Sequence, residues 1–306
     1  MIYTFLGPEG TFTEAALFKV PEAREATRIP SSSVNEALEL VRAGGADAAM
    51  VPIENSVEGG VTATLDAIST GPELRIVREE LVPITFVLVA RPGTKLADVR
   101  RVLTHGHAWA QCRGWAAAHI PSAEYEPASS TAAGALALLE PTVRPGDAAI
   151  CSPIVAEEHP ELDVLAADLG DNPGAVTRFI LVAQPGTLPE PTGADKTTVA
   201  VPLPEDHPGA LMEILWQFAS RGVNLSRIES RPTGEYLGHY FFSIDAEGHV
   251  RDARVADALG GLYRLSPETR FLGSYPRADG VRPTVLPHNA DEAFEASEAW
   301  VRSILG

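Results

Sequence analysis

Gln184-Pro185-Gly186-Thr187-Leu188-Pro189-Glu190-Pro191-Thr192-Gly193 divides the chain into two stretches with different element patterns. Proline and glycine at this density interrupt both helices and strands, so the segment reads as a linker. Before it, apolar runs alternate with helical patterns. Strands are predicted at 2–6, 48–53, 76–90 (bent or split at Pro83), 101–103, 148–150 and 178–183. Capping boxes at Thr11-Phe12-Thr13-Glu14 and Ser33-Val34-Asn35-Glu36 open two helices, the second ending at Gly44-Gly45. Residues 61–69 and 108–119 also read as helical, and Ser129-Ser130-Thr131 caps a helix running to Leu139. This alternation predicts an α/β architecture with parallel strands.

After the linker the order changes. Residues 196–201 are a strand rich in β-branched side chains; 208–221 are a helix with Leu211, Ile214, Leu215 and Phe218 on one face, closed by Gly222. Strands follow at 225–229 and 238–245, then a helix at 250–259 and a strand at 270–275. The order βαββαβ is the ferredoxin-like unit. Residues 277–306 form a tail. Its segment 291–305 reads as an amphipathic helix, with Phe294, Val301, Ile304 and Leu305 roughly on one face, expected to dock on a domain or a neighbour.

The 306 residues fit two domains. No apolar run approaches the roughly 20 residues a membrane span needs. The N-terminus lacks the basic n-region of a leader and reads as a first strand, so a cytoplasmic protein is expected. Cys112 and Cys151 are too few for a disulfide scaffold and are expected to stay reduced. The net charge of −17, with no Lys/Arg run, argues against nucleic acid as a partner. It also means that an anionic ligand needs a locally positive site.

Several enzyme classes find no support. Gly7-Pro8-Glu9-Gly10-Thr11 lacks the Gly-Lys-Ser/Thr end of a P-loop, and no Gly-x-Gly-x-x-Gly or Gly-x-Ser-x-Gly is present. The eight histidines show no zinc spacing, and His105-Gly106-His107 has no third ligand nearby. No metal and no cofactor is expected. Polar residues instead gather where strands end, the place where α/β proteins bind ligands. Glu54-Asn55-Ser56 follows one strand, Thr104-His105 with Gln111 another, and Gly7–Thr11 the first. Ser130-Thr131 sits at a helix start, and Thr177-Arg178-Phe179 opens a strand. These residues alone support an α/β domain that binds a small anion. Each also has a purely structural reading: Asn55 as a turn residue, Thr177 as an ordinary strand threonine, Arg178 in a surface ion pair, Glu54 as a helix-capping carboxylate, Ser130 and Thr131 as caps.

In their order along the chain these segments resemble a known family. Gly7-Pro8-Glu9-Gly10-Thr11-Phe12-Thr13, Val51-Pro52-Ile53-Glu54-Asn55-Ser56-Val57-Glu58-Gly59 and Thr177-Arg178-Phe179 look like prephenate dehydratase. Thr104-His105 with Gln111-Cys112, and Ser130-Thr131-Ala132-Ala133, match two further segments. Gly209-Ala210-Leu211 and Glu229-Ser230-Arg231-Pro232 look like the two signatures of the phenylalanine-sensing ACT domain found in the monofunctional bacterial members. The resemblance covers about residues 1–275 and departs at three positions. Thr104 stands where serine is usual, His107 where glutamine is usual, and Trp109 where leucine is usual.

The resemblance implies a catalytic domain over 1–184 with two lobes, similar to periplasmic binding proteins. Lobe one would span about 1–78 and 170–184, lobe two about 80–168, with the chain crossing near 78–82 and returning near 168–172. A ferredoxin-like ACT domain would span 196–276, followed by the tail at 277–306. The activity implied is that of a carbon–oxygen lyase: decarboxylating dehydration of prephenate to phenylpyruvate, CO₂ and water in phenylalanine biosynthesis, without a cofactor. Thr177, Asn55, Gln111 and Thr104 would be catalytic. Arg178, Phe179, Ser130, Thr131, Glu54 and Ser56 would bind substrate, with Arg178 and the N–H groups at Ser130-Thr131 anchoring a carboxylate. Gly209, Ala210, Leu211, Asn224, Leu225, Glu229 and Ser230 would hold L-phenylalanine between two chains of a homodimer or homotetramer. Two rivals remain: a prephenate decarboxylase that does not aromatise its product, and a non-catalytic amino-acid sensor.

Overall fold

The computed structural model describes residues 1–57, 59–203, 207–233 and 240–306. Glu58, and Gly238 and His239 at the start of the strand expected over 238–245, lie outside the described residues. By compactness the chain divides into 1–61 with 80–179, and 62–79 with 180–306.

The first half begins with β1 (Ile2–Leu6), α1 (Phe12–Phe18), β2 (Thr27–Ser31), α2 (Val34–Arg42), β3 (Ala48–Asn55), β4 (Gly59–Gly60), α3 (Thr62–Ser69) and β5 (Arg75–Pro83). Both capping boxes form. Thr11 Oγ1 accepts the Glu14 N–H, and the Glu14 carboxylate accepts the Gly10 N–H at 2.6 Å. Ser33 and Glu36 repeat the arrangement at the start of α2, where Glu36 takes the Ser32 N–H at 2.6 Å.

A second sheet follows, built from β6 (Val87–Ala90), β7 (Arg101–Thr104), α4 (Gly106–Gln111), α5 (Arg113–His119), β8 (Glu124–Pro127), α6 (Thr131–Leu136), β9 (Asp147–Cys151), α7 (Pro153–Glu158) and β10 (Asp163–Ala166). The chain returns to the first sheet with β11 (Val176–Ala183). The first sheet runs β2-β1-β3-β11-β5 with β4 on β3; the second runs β10-β6-β9-β7-β8. β1 is parallel to β2 and β3, and β7 to β8 and β9, as the alternation predicts. β6 and β10 are antiparallel additions. Alternation along β6 is plain: Leu88 and Ala90 join one apolar cluster, Val87 and Val89 another, so both faces of this sheet are covered.

The chain leaves the first sheet at Pro83 and enters the second at Val87, later than the expected 78–82, because β5 continues to Pro83. Proline there removes a ladder donor and ends the strand. The helix expected over 108–119 is two, broken at Cys112, whose φ/ψ of −116°/9° is not helical.

The second half contains β12 (Asp195–Pro202), α8 (Ala210–Ala219), β13 (Leu225–Pro232), β14 (Tyr240–Glu247), α9 (Ala253–Leu265) and β15 (Arg270–Pro276). The sheet order β13-β14-β12-β15 with two helices is the ferredoxin-like arrangement. One face is apolar: Val199, Val201 and Ile244 pack with Ile214 and Phe218 of α8 and Val255, Ala258 and Leu262 of α9. The other face buries a polar network. Arg227 makes two 2.9 Å bonds to the Asp245 carboxylate, which also accepts from Thr198 Oγ1 at 2.7 Å. Gly222, at φ 65°, follows α8 and lets Val223 N–H reach back to Phe218 O at 3.0 Å.

α10 (Asp291–Leu305) forms as expected, but none of its residues is buried. Its start rests on α9, where Asp291 Oδ1 accepts the Ala253 N–H at 2.8 Å and Phe294 is half-buried, whereas Trp300, Val301, Ile304 and Leu305 further along are exposed. No helix of the described residues is long and apolar enough to cross a membrane.

Candidate active site

A cleft of about 360 Å³ lies among the strand ends of the first compact unit. Six strands deliver residues to it. β1 ends at Leu6 and leads into Gly7, β2 leads into Ser32, β3 ends at Asn55, β7 leads into His105, and β8 leads into Ser129-Ser130-Thr131. β11 contributes Thr177 and Phe179. Ile84 and Phe86, on the segment that passes between the sheets, form an apolar wall with Phe12, whose ring meets Phe86 edge-on at 5.6 Å.

Asn55 and Thr177 are the centre of the polar part. The Asn55 Oδ1 accepts the Val57 N–H at 2.8 Å, which fixes the amide so that Nδ2 donates to Thr177 Oγ1 at 2.8 Å. The Thr177 oxygen is an acceptor in that bond, so its own hydrogen is available for another partner. Thr177 is only 7% exposed. Ser56 clasps the same strand: its N–H donates to Val176 O, and its hydroxyl accepts the Val176 N–H, both at 2.9 Å. The loop and the β11 start are therefore held in register beside the cleft.

The rim is equally fixed. Ser152 Oγ donates to Gly10 O at 2.6 Å. Glu14, which takes the Gly10 N–H, is 3% exposed; burial raises its carboxyl above the ordinary range, and the Gly10 bond partly offsets this. Ser130 Oγ accepts the Ala133 N–H at 2.9 Å, the cap expected of it. Behind Gln111, burial pushes the Cys112 thiol up to about 12.

Asn55, Gln111, Ser130, Thr131, Thr177 and Phe179 are thus brought together. Four expected site residues are not. Thr104 is fully buried and its hydroxyl donates to Ile150 O at 2.7 Å, tying β7 to β9 rather than facing the cleft. Arg178 lies between Thr177 and Phe179; strand alternation turns it to the opposite face, where its guanidinium is 3.5 Å from Glu54. Arg178 and Glu54 therefore brace β3 against β11 and do not line the cleft, and Ser56 acts through its clasp. Ser32, Ile84 and Phe86 are lining residues that motif reading does not reach. Ser32 follows a strand too polar to recognise, and the other two follow Pro83.

Comparison with known proteins shows the family. The family model described as prephenate dehydratase matches residues 3–187. The prephenate dehydratase of Amycolatopsis methanolica is 43% identical over 303 residues, 98% of this chain and 96% of that protein. The chain belongs to the prephenate dehydratase family. The crystal structure of the Arthrobacter aurescens prephenate dehydratase in complex with L-Phe is 72% identical, covers 100% of this chain and 99% of that one, and has a TM-score of 0.95. A second structure, GqqA, described as a novel type of quorum quenching acylase, is 31% identical over 90% of this chain and 98% of its own, with a TM-score of 0.78.

In this prephenate dehydratase family member the expected effector residues fall at two ends of one helix. Gly209, Ala210 and Leu211 start α8, and Asn224 and Leu225 follow its end, about 15 Å away at 1.5 Å per residue. They are not brought together within one chain. Gly209 sits at φ 100°, a conformation that side chains disfavour, and open space surrounds the position a Cβ would take. Glu229 and Ser230 lie on β13, the edge strand of the sheet, and Glu229 is 3.7 Å from Arg227. A cavity of about 300 Å³ opens at the α8 start, lined by Ala210, Ile214, Leu203 and His207 among others.

Proposed function

We propose that the chain is a carbon–oxygen lyase that converts prephenate to phenylpyruvate, CO₂ and water at this cleft. The observation that carries the reading is the Asn55–Thr177 bond. As the bond from the ring to its carboxylate breaks, its electron pair enters the ring and the hydroxyl leaves from the opposite ring carbon. The leaving oxygen takes up a proton, so the dianion and one proton give a monoanion, CO₂ and water. What this needs from the protein is a donor aimed at the leaving hydroxyl and a poorly solvated place for the departing carboxylate.

Thr177 is that donor, because Asn55 already occupies its acceptor side. A threonine is a weak acid, so placement and local dipoles carry the effect. Gln111 orients the ring, Ser130 and Thr131 offer their hydroxyl and backbone groups to a carboxylate, and Phe179, Phe86 and Ile84 supply the dry wall. The GqqA acylase relative raises amide hydrolysis as a competing chemistry. A nucleophilic threonine needs a base to take its proton. Asn55 donates to Thr177 instead, which favours the lyase.

The ferredoxin-like half, 196–276, is read as an ACT domain that binds L-phenylalanine, following the catalytic domain at 1–184 and preceding the tail at 277–306. Gly209–Leu211 of one chain would meet Asn224-Leu225 of a partner in a homodimer or homotetramer, with Glu229 and Ser230 beside them. No cofactor is invoked. Two free, buried cysteines fit a reducing compartment, and the cytoplasm is the proposed location.

The test is phenylpyruvate formation from prephenate by the purified protein, with and without phenylalanine. Turnover that phenylalanine changes supports both halves of the reading. Consumption of prephenate without phenylpyruvate favours the decarboxylase, and phenylalanine binding without consumption favours the sensor.

A further inference from the structure

We propose that Ser152 is a positioning residue for the reaction. Its hydrogen bond to Gly10 sets the spacing of the two cleft walls, so that Thr177 on one wall and the carboxylate-binding groups on the other act on the same substrate molecule. This rests on the lyase reading and deepens it. The cleft draws its polar residues from two sheets. Asn55 and Thr177 come from β3 and β11 of the first sheet. Gln111, Ser130 and Thr131 follow β7 and β8 of the second. The leaving hydroxyl and the side-chain carboxylate of the substrate are therefore met from different sheets, and their alignment depends on what holds the sheets together. The chain itself does so where it crosses over 84–86 and returns over 167–175.

Ser152 adds a tie that neither crossing supplies. It directly follows β9 of the second sheet and stands at the N-cap of α7. A serine there ordinarily accepts an N–H from its own helix. This one does not: Pro153 has no N–H to give, and the Val155 N–H goes to the Ser152 carbonyl at 3.2 Å. The hydroxyl donates instead to Gly10 O at 2.6 Å, 142 residues away in sequence. Gly10 lies on the loop from β1 to α1, whose neighbours Gly7 and Thr11 line the cleft. The Gly10 N–H is held too, by Glu14 of α1 at 2.6 Å. One residue of the first wall is thus fixed from its own helix on one side and from the second sheet on the other.

Packing makes the tie tight. Gly10 is buried and Ser152 is 1% exposed. A Cβ on Gly10 would stand 2.7 Å from Val155 Cγ2 of α7 and 3.5 Å from Ala132 Cβ of α6, the helix that Ser130 caps and Thr131 opens. The absence of a side chain at Gly10 is what lets the first wall close onto the helices of the second. In this buried junction water is a poor substitute for the Ser152 hydroxyl, so its removal loosens the contact. Either wall alone can hold a substrate molecule. Only a fixed spacing brings the leaving hydroxyl to Thr177 while the carboxylate stays at Ser130 and Thr131. A change in spacing is a loss of orientation, which appears in kcat rather than in KM.

The experiment is steady-state kinetics of the full-length enzyme and its Ser152→Ala variant on prephenate, with turnover referred to the folded fraction measured by circular dichroism. Expected for Ser152→Ala is a kcat lower by about tenfold or more, with KM and the phenylpyruvate inhibition constant within about threefold of wild type. If Ser152→Ala does not fold, Ser152→Cys takes its place, because a thiol fills the site and donates only weakly. Its kcat is expected to fall by about threefold or more, again with KM little changed. A folded variant whose kcat loss falls short of these factors, or whose loss is confined to KM, overturns the proposal and leaves the lyase reading intact. Absence of wild-type turnover overturns the lyase reading, and this proposal with it.

Discussion

Asn55 Nδ2 donates a 2.8 Å hydrogen bond to Thr177 Oγ1, and the amide cannot turn over without losing the 2.8 Å bond from Val57 N–H to its oxygen. The direction of one hydrogen bond therefore decides the role of the threonine. Asn55→Asp inverts it: a carboxylate accepts the Thr177 proton and adds a negative charge beside an anionic substrate. We expect kcat to fall by about 10²-fold or more, with the fold retained by circular dichroism. A kcat within about threefold of wild type would show that the direction of this bond does not matter.

The second compact unit holds a buried ion pair. Lys196 Nζ lies 3.1 and 3.0 Å from the two oxygens of Glu79, whose side chain is 1% exposed and which also accepts the Ala278 N–H at 2.9 Å. Removing one partner strands a charge away from water. Glu79→Ala is expected to cost about 3–5 kcal/mol in urea unfolding, and Lys196→Met added to Glu79→Leu to recover much of it. A loss under about 1 kcal/mol would mean that the pair behaves like an exposed one.

Asp66 of α3 receives both arms of the Arg231 guanidinium at 2.9 Å. Arg231 belongs to the Glu229–Pro232 segment of the proposed effector site, and α3 follows directly in sequence on the Glu54–Gly60 loop that carries Asn55. Asp66→Ala is expected to leave turnover without phenylalanine unchanged. The ratio of turnover with and without saturating phenylalanine should move toward one by about fivefold or more. An unchanged ratio would remove this pair from the regulatory route.

How much of this is visible in the sequence depends on where each residue sits. The central strands, with their apolar runs, are readable; β2, β8 and β10 are not, and all three are sheet edges. Edge strands bury less and carry polar residues, as Glu124-Tyr125-Glu126-Pro127 does, so their period-2 signal is weak. In the cleft, Asn55 and Thr177 are legible because strand ends deliver them, and Gln111 because it closes the helix that follows β7. Arg178 and Thr104 lie away from the cleft for different reasons: adjacency in sequence places Arg178 on the opposite face of its strand from Thr177, and the Thr104 hydroxyl at a strand end is taken by the ladder beside it. The buried Arg227–Asp245 network is also hidden, because its members, Thr198 included, come from three strands and are far apart in sequence.

Thr177→Ala tests the central claim most directly. The variant keeps the backbone of β11 and removes the hydroxyl that receives the Asn55 bond. Its kcat for phenylpyruvate formation should fall by at least about 10²-fold, with KM little changed and the fold intact. Near-normal turnover in a folded Thr177→Ala protein would contradict the account of the cleft.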